Sequence, residues 1–124
     1  MRLALSALLI AHGVAHLVGF VVPWRLMATS DVPYRTTILA GAIDVGDAGV
    51  RALGVVWLAA ALAFVLLGGA LLAGFSVRSW LFAVLGLSLA LCAAGWPDAR
   101  IGVIVNVVVL AVLLIWPHLG TVSS

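Results

Sequence analysis

Four apolar runs, at 3–22, 50–73, 80–94 and 101–116, occupy most of the chain and leave little else to fold. A helix needs about 20 apolar residues to cross the hydrocarbon core of a bilayer, or somewhat fewer when its flanks snorkel, so each run matches one span. In lipid every backbone N–H and C=O must be satisfied within the protein, which a helix does by itself. The expected fold is therefore an all-α integral membrane protein, a four-transmembrane-helix bundle in a single domain over 1–124, with one long loop at 23–49. The hydrophobic share of 66% agrees with this, because soluble domains hold roughly 45–50% apolar residues. Arg2 precedes the first run as in a signal peptide, but the run is long and carries His12 and His16, so it is read as a retained span.

Charge is scarce: six Arg and four Asp make up the charged residues, beside three His. No basic patch is available for nucleic acid, so the expected partners are the bilayer and a lipophilic small molecule. Spans alternate in direction, which places Arg25, Arg35, Arg51 and Arg100 toward one side; the positive-inside rule assigns that side to the cytoplasm and the N-terminus to the outside. The expected location is the cell membrane, multi-pass, as in a bacterial inner membrane. The single cysteine, Cys92, lies within an apolar run and reads as a buried thiol. Small residues at four-residue spacing, Gly86 with Ala90 and Ala94 and Gly69 with Ala73, suit close helix packing.

The few polar groups converge on one end of the expected bundle. Asp44, Asp47 and Arg51 precede or open the second span, while Asp98, Arg100 and Asn106 open the fourth from the same side. At 100° per residue Asp47 and Arg51 are about 40° apart, and Asp44 joins their face if the helix reaches back that far. Pro97 and Asp98 read as a helix start. Asn106 lies about 9 Å deeper than Arg100 at 1.5 Å per residue. In the first span His12 and His16 share a face with Gly19, and small residues beside histidines point that face toward the bundle interior. Trp24, Tyr34 and Trp96 are placed to roof a pocket at that end, and His118 reads as an interfacial residue at the other.

This set narrows the chemistry. His12 and His16 supply at most two metal ligands with no Glu and no second Cys, so no metal is expected. On one helical face they cannot clasp one haem, and no Gly-rich phosphate loop, Ser-His-Asp set or CxxC pair is evident, so no cofactor is expected. Carboxylates bridged by arginine in a low-dielectric pocket can be held in different protonation states, which suits acid–base work. The first functional reading is thus a one-ended polar pocket that binds or transforms a lipophilic molecule, as an isomerase, cyclase or epoxide hydrolase would. Its catalytic candidates are Asp44, Asp47 and Asp98; its binding candidates are Arg51, Arg100, Asn106, His16, His12, Trp24, Tyr34 and Trp96. The second reading is a small transporter or channel subunit, acting as a homo-oligomer, with His12, His16 and Asn106 along a path. A transporter needs polar groups through to both sides, and the third span offers only Ser88, which favours the one-ended pocket.

The stretch DAGVRALGVVWLAAALAFVLLG, at 47–68, resembles the Arg-x-x-Gly helix start of the DoxX-like group of small four-helix membrane proteins. Taken with HGVAHLVGF, at 12–20, the chain also resembles uncharacterised small actinobacterial membrane proteins. The resemblance covers the overall architecture and one short motif, and it implies a role for Arg51 and Gly54 alone. The chain departs from small multidrug transporters, which place a Glu in the first span where His12 and His16 stand here.

Overall fold

Every apolar run is helical in the computed structural model, which describes residues 1–28, 30 and 32–116. His118 lies outside the described residues. The elements in order are α1 (Arg2–His16), α2 (Val18–Val21), β1 (Thr37–Ile38), β2 (Ile43–Asp44), α3 (Gly46–Leu72), α4 (Arg78–Ala94) and α5 (Arg100–Ile115). By length and composition two stretches can cross a membrane: α1 with α2, Arg2–Val21, and α3, 27 residues long. The helices α4 and α5 are apolar but shorter, at 17 and 16 residues.

The joint between α1 and α2 is a single tight turn at Leu17. His16 Nδ1 donates to the His12 carbonyl at 2.8 Å, and the next amide, Leu17 N, turns back to Val14 O at 3.1 Å. Such a three-residue step tightens the last turn of a helix. Both histidines, four residues apart, are buried on the inner face.

The long loop contains a feature that its composition does not announce. Thr37–Ile38 pair antiparallel with Ile43–Asp44, Thr37 opposite Asp44 and Ile38 opposite Ile43. At the tip Leu39 and Ala40 take left-handed φ values of 54° and 57°, followed by Gly41 at 87°. This uncommon backbone aims two amides at the turn between α4 and α5: Leu39 N donates to Ala94 O at 2.8 Å and Ala40 N to Trp96 O at 3.0 Å. The hairpin is thus bonded down over one end of the bundle.

Within the bundle α1 lies along α3, α3 packs on α4, and α4 on α5, whereas α1 and α5 barely touch. Glycine makes the first contact possible. A Cβ on Gly13 would stand 2.8 Å from Ala61 O, and one on Gly68 would stand 3.0 Å from Ser6 O. Small residues at a helix contact let two backbones approach this closely. Gly69 and Gly86, expected from their spacing to pack, would instead carry a Cβ with nothing within 4 Å of it, and Ala90 is exposed. Their row lies on the outer surface, because the contacts of α3 and α4 use other faces. The far half of the bundle is an apolar core that includes Leu5, Leu9, Phe64, Leu71, Leu81, Leu85, Val109 and Leu113. Outside it the helices present Leu62, Leu66, Trp80, Ile101, Ile104 and Leu114, all exposed.

Candidate functional site

At mid-height of the bundle, side chains from three helices meet in one hydrogen-bonded cluster. His12 and His16 come from α1, Ser88 and Cys92 from α4, and Asn106 from α5, and all five are buried. His12 Nε2 lies 3.1 Å from Asn106 Oδ1. Asn106 Nδ2 donates to Ser88 Oγ at 2.8 Å and approaches Cys92 Sγ at 3.7 Å. Ser88 Oγ is 2.7 Å from His16 Nε2. The imidazole rings stand edge to face at a centroid separation of 4.4 Å, with Phe64 against His12 at 4.9 Å and Trp57 against His16 at 5.1 Å. Buried polar groups in a low-dielectric interior must be paired, and here every side-chain nitrogen and oxygen of Ser88, Asn106 and His16 is.

Above the cluster a cavity of about 720 Å³ lies in the gap between α1 and α5. Its floor includes His12, His16 and Cys92; its walls include Ala11, Ala15, Leu53, Trp57 and Val105. The loop end is bounded by Arg35, Thr37, Ile38, Trp96 and Asp98. Arg35 Nε donates to Asp98 Oδ2 at 3.1 Å, which adds a charged tie to the hairpin's amide bonds. The lining is mainly apolar, with its polar atoms gathered at the two ends. That pattern, a large apolar volume with a few placed polar groups, is the usual one for small-molecule pockets of about 300–1,000 Å³.

The residues singled out from the sequence do not share one site. His12, His16, Asn106, Trp96 and Asp98 belong to the cavity or to the cluster beneath it. Asp47 does not: it accepts from Arg25 Nη2 at 3.4 Å and from the Tyr34 hydroxyl, and the Arg25 guanidinium lies 4.5 Å over the Tyr34 ring. This exposed trio ties the start of the loop to the start of α3. Asp44 stands in β2, since α3 begins only at Gly46, and its Oδ1 accepts from Gly46 N at 2.9 Å. Among the described residues Arg51 bridges no carboxylates. Its guanidinium lies 5.5 Å from the Trp24 ring, and its carbonyl accepts from Trp24 Nε1 at 3.0 Å. Gly54 makes room for that indole, because a Cβ there would meet Trp24 Cδ1 at 2.9 Å. The Arg-x-x-Gly motif is thus a seat for Trp24. Arg100 is exposed, and among the described residues its side chain has no hydrogen bond or ion pair.

Asp98 is no helix cap. The N-cap of α5 is Ala99, without a side-chain cap bond, and Asp98 faces Arg35 instead. Ser88, Cys92, Trp57 and Arg35 join the site without having stood among the candidates from sequence. A signal for the first two did exist: Ser88 and Cys92 are four apart on one helix and therefore share a face, in a run with no other polar side chain before its end. Among the described residues no three His, Cys, Asp or Glu side chains cluster as metal ligands would. Comparison of the chain with protein-family models, with curated proteins and with solved structures finds no match.

Proposed function

We propose that this is a four-span integral membrane protein that binds a lipophilic small molecule in the cavity between α1 and α5 and acts on it by proton transfer. The apolar exterior supports the membrane setting: large side chains such as Leu66, Trp80, Ile101 and Leu114 face outward while the polar cluster is buried. At 1.5 Å per residue α4 and α5 are about 25 Å long, short of a hydrocarbon core of about 30 Å. Local thinning and snorkelling of Arg78 and Arg100 from their first turns accommodate that mismatch.

One observation carries the functional reading: a cavity of about 720 Å³ between α1 and α5 is lined mainly by apolar side chains, with two buried histidines among them. The hairpin, tied by Arg35–Asp98 and by two backbone bonds, covers one end; the apolar core from Leu9 to Leu113 fills the other. A molecule reaching such a space from the bilayer has to be lipophilic. The same packed apolar core disfavours a path through the bundle, so the pocket reading stands ahead of the transporter reading. For the chemistry, two imidazoles on the floor supply a group able to take and return a proton, as an isomerase or cyclase needs. Asp44 and Asp47 lie outside the cavity, which leaves Asp98 as the carboxylate that lines it among the described residues.

The test is organic extraction and mass spectrometry of the protein purified in a mild detergent. A lipophilic compound enriched over bulk lipid, at about one per chain, supports the proposal. Recovery of bulk lipid and detergent alone overturns it.

A further inference from the structure

The hydrogen bonds of the buried cluster fix its protons, and the assignment ends on one unfilled atom. The His12 carbonyl can only accept, so His16 Nδ1, 2.8 Å away, carries a hydrogen. In the neutral ring His16 Nε2 is then an acceptor, so the Ser88 hydroxyl 2.7 Å away donates to it. Ser88 Oγ is left to accept, and it does so from Asn106 Nδ2 at 2.8 Å. Asn106 Oδ1 can only accept as well, so His12 Nε2 at 3.1 Å carries the hydrogen of that ring. One continuous chain of donors and acceptors thus sets both tautomers without an ionised group. Its last member is His12 Nδ1, an imidazole lone pair.

That lone pair has no partner among the described residues, although His12 is only 5% exposed. Nor is it sealed in. Among the described residues Ser6 Oγ is the one buried side-chain polar atom that is both enclosed and without a hydrogen bond. The open space that His12 borders is the α1/α5 cavity. Ala11, Ala15, Leu53 and Val105 in its walls offer no side-chain hydrogen bond, and the Trp57 ring lies against His16.

Resting on the proposed function above, we infer that the ligand is a hydroxylated lipophile, an alcohol or phenol with an apolar body, whose O–H donates to His12 Nδ1. A basic atom at the foot of an apolar cavity rewards a molecule that brings a donor and is indifferent to one that brings only an ether or hydrocarbon. The four-centre chain behind His12 holds its ring in the tautomer that presents the lone pair. Asn106 and Ser88 are positioning residues in this arrangement, since they act on the ligand through His12.

The experiment uses the full chain in detergent and two probes of nearly equal shape, para-hexylphenol and its methyl ether para-hexylanisole, with affinities measured by titration calorimetry. The phenol is expected to bind about tenfold more tightly, the ratio that corresponds to about 1.4 kcal/mol. His12→Phe keeps an aromatic ring at the foot of the cavity but has no acceptor at the Nδ1 position. Its affinity for the ether is expected to be retained and its preference for the phenol to fall to about onefold. Imidazole nitrogen NMR of the isotope-labelled parent gives a second reading should that variant not fold: the His12 Nδ1 resonance is expected to move with the phenol and not with the ether. Equal binding of both probes by the parent, or an unmoved Nδ1 resonance with bound phenol, overturns this inference while the lipophile cavity stands. Binding of neither probe overturns the cavity as well.

Discussion

His12 and Asn106, 94 residues apart in the chain, are joined side chain to side chain at 3.1 Å in the middle of the bundle. This bond ties α1 to α5, two helices that otherwise barely meet, directly beneath the cavity that separates them. It decides how both polar residues are read: each is the other's partner, and together with Ser88 and His16 they form a hydrogen-bonded floor.

Asn106→Leu therefore acts on stability as well as on function. The change removes bonds to His12 and Ser88 and leaves their polar atoms in an apolar interior, a loss of about 1–3 kcal/mol. A double-mutant cycle with Ser88→Ala should return a coupling of about 0.6 kcal/mol and at most about 1.7, the range measured for interhelical hydrogen bonds in lipid. Unfolding of each variant in detergent measures both quantities. A coupling of zero would mean that the Asn106–Ser88 bond does not form.

The glycines distinguish packed faces from exposed ones. Gly13→Ala places a methyl 2.8 Å from Ala61 O and 3.0 Å from Phe64 Cβ, so α1 has to move away from α3, at about 1–3 kcal/mol. Gly86→Ala meets nothing within 4 Å and should be neutral or stabilising by up to about 1 kcal/mol, as Ala is the better helix former. Thermal melts of the two variants give the comparison. Equal effects would place the α1–α3 seam elsewhere.

The Arg35–Asp98 pair holds the hairpin down but adds little to global stability. Arg35 is more than half exposed, and a partly solvated pair contributes roughly 0.2–1 kcal/mol, less at high salt. Asp98→Asn should leave the melting temperature nearly unchanged while the amides of Leu39 and Ala40, bonded to Ala94 O and Trp96 O, exchange faster with solvent. Hydrogen-exchange mass spectrometry over 35–41 reads this out. Unchanged exchange would show that the two backbone bonds alone secure the hairpin.

The helices were legible in the sequence because hydropathy alone specifies them: the four runs agree with α1 and α2 together, α3, α4 and α5 to within a few residues. His12, His16 and Asn106 were legible as interior groups for the same reason, since an apolar chain has few other places for them. The carboxylates were not. Asp44, Asp47 and Asp98 do gather at one end of the bundle, but a shared end is not a shared site. Local partners claimed each: Gly46 N for Asp44, Arg25 and Tyr34 for Asp47, and Arg35 for Asp98. Those partners depend on the path of the long loop. That path is set by left-handed backbone at Leu39 and Ala40, and neither residue type announces it. The pairing of Ser88 with both Asn106 and His16 was equally hidden, because it depends on how α4 is rotated against its neighbours.

If the α1/α5 cavity is where a lipophile is held, Ala15→Phe should empty it, and no other change tests the cavity more directly. Ala15 lines the cavity and is itself exposed, so an added ring fills the space without displacing a packed side chain. The measurement is the amount of lipophilic compound extracted per chain from parent and variant, purified in parallel and matched for melting temperature. The parent should retain about one molecule and Ala15→Phe almost none. Equal retention by the two proteins would contradict the assignment of the cavity.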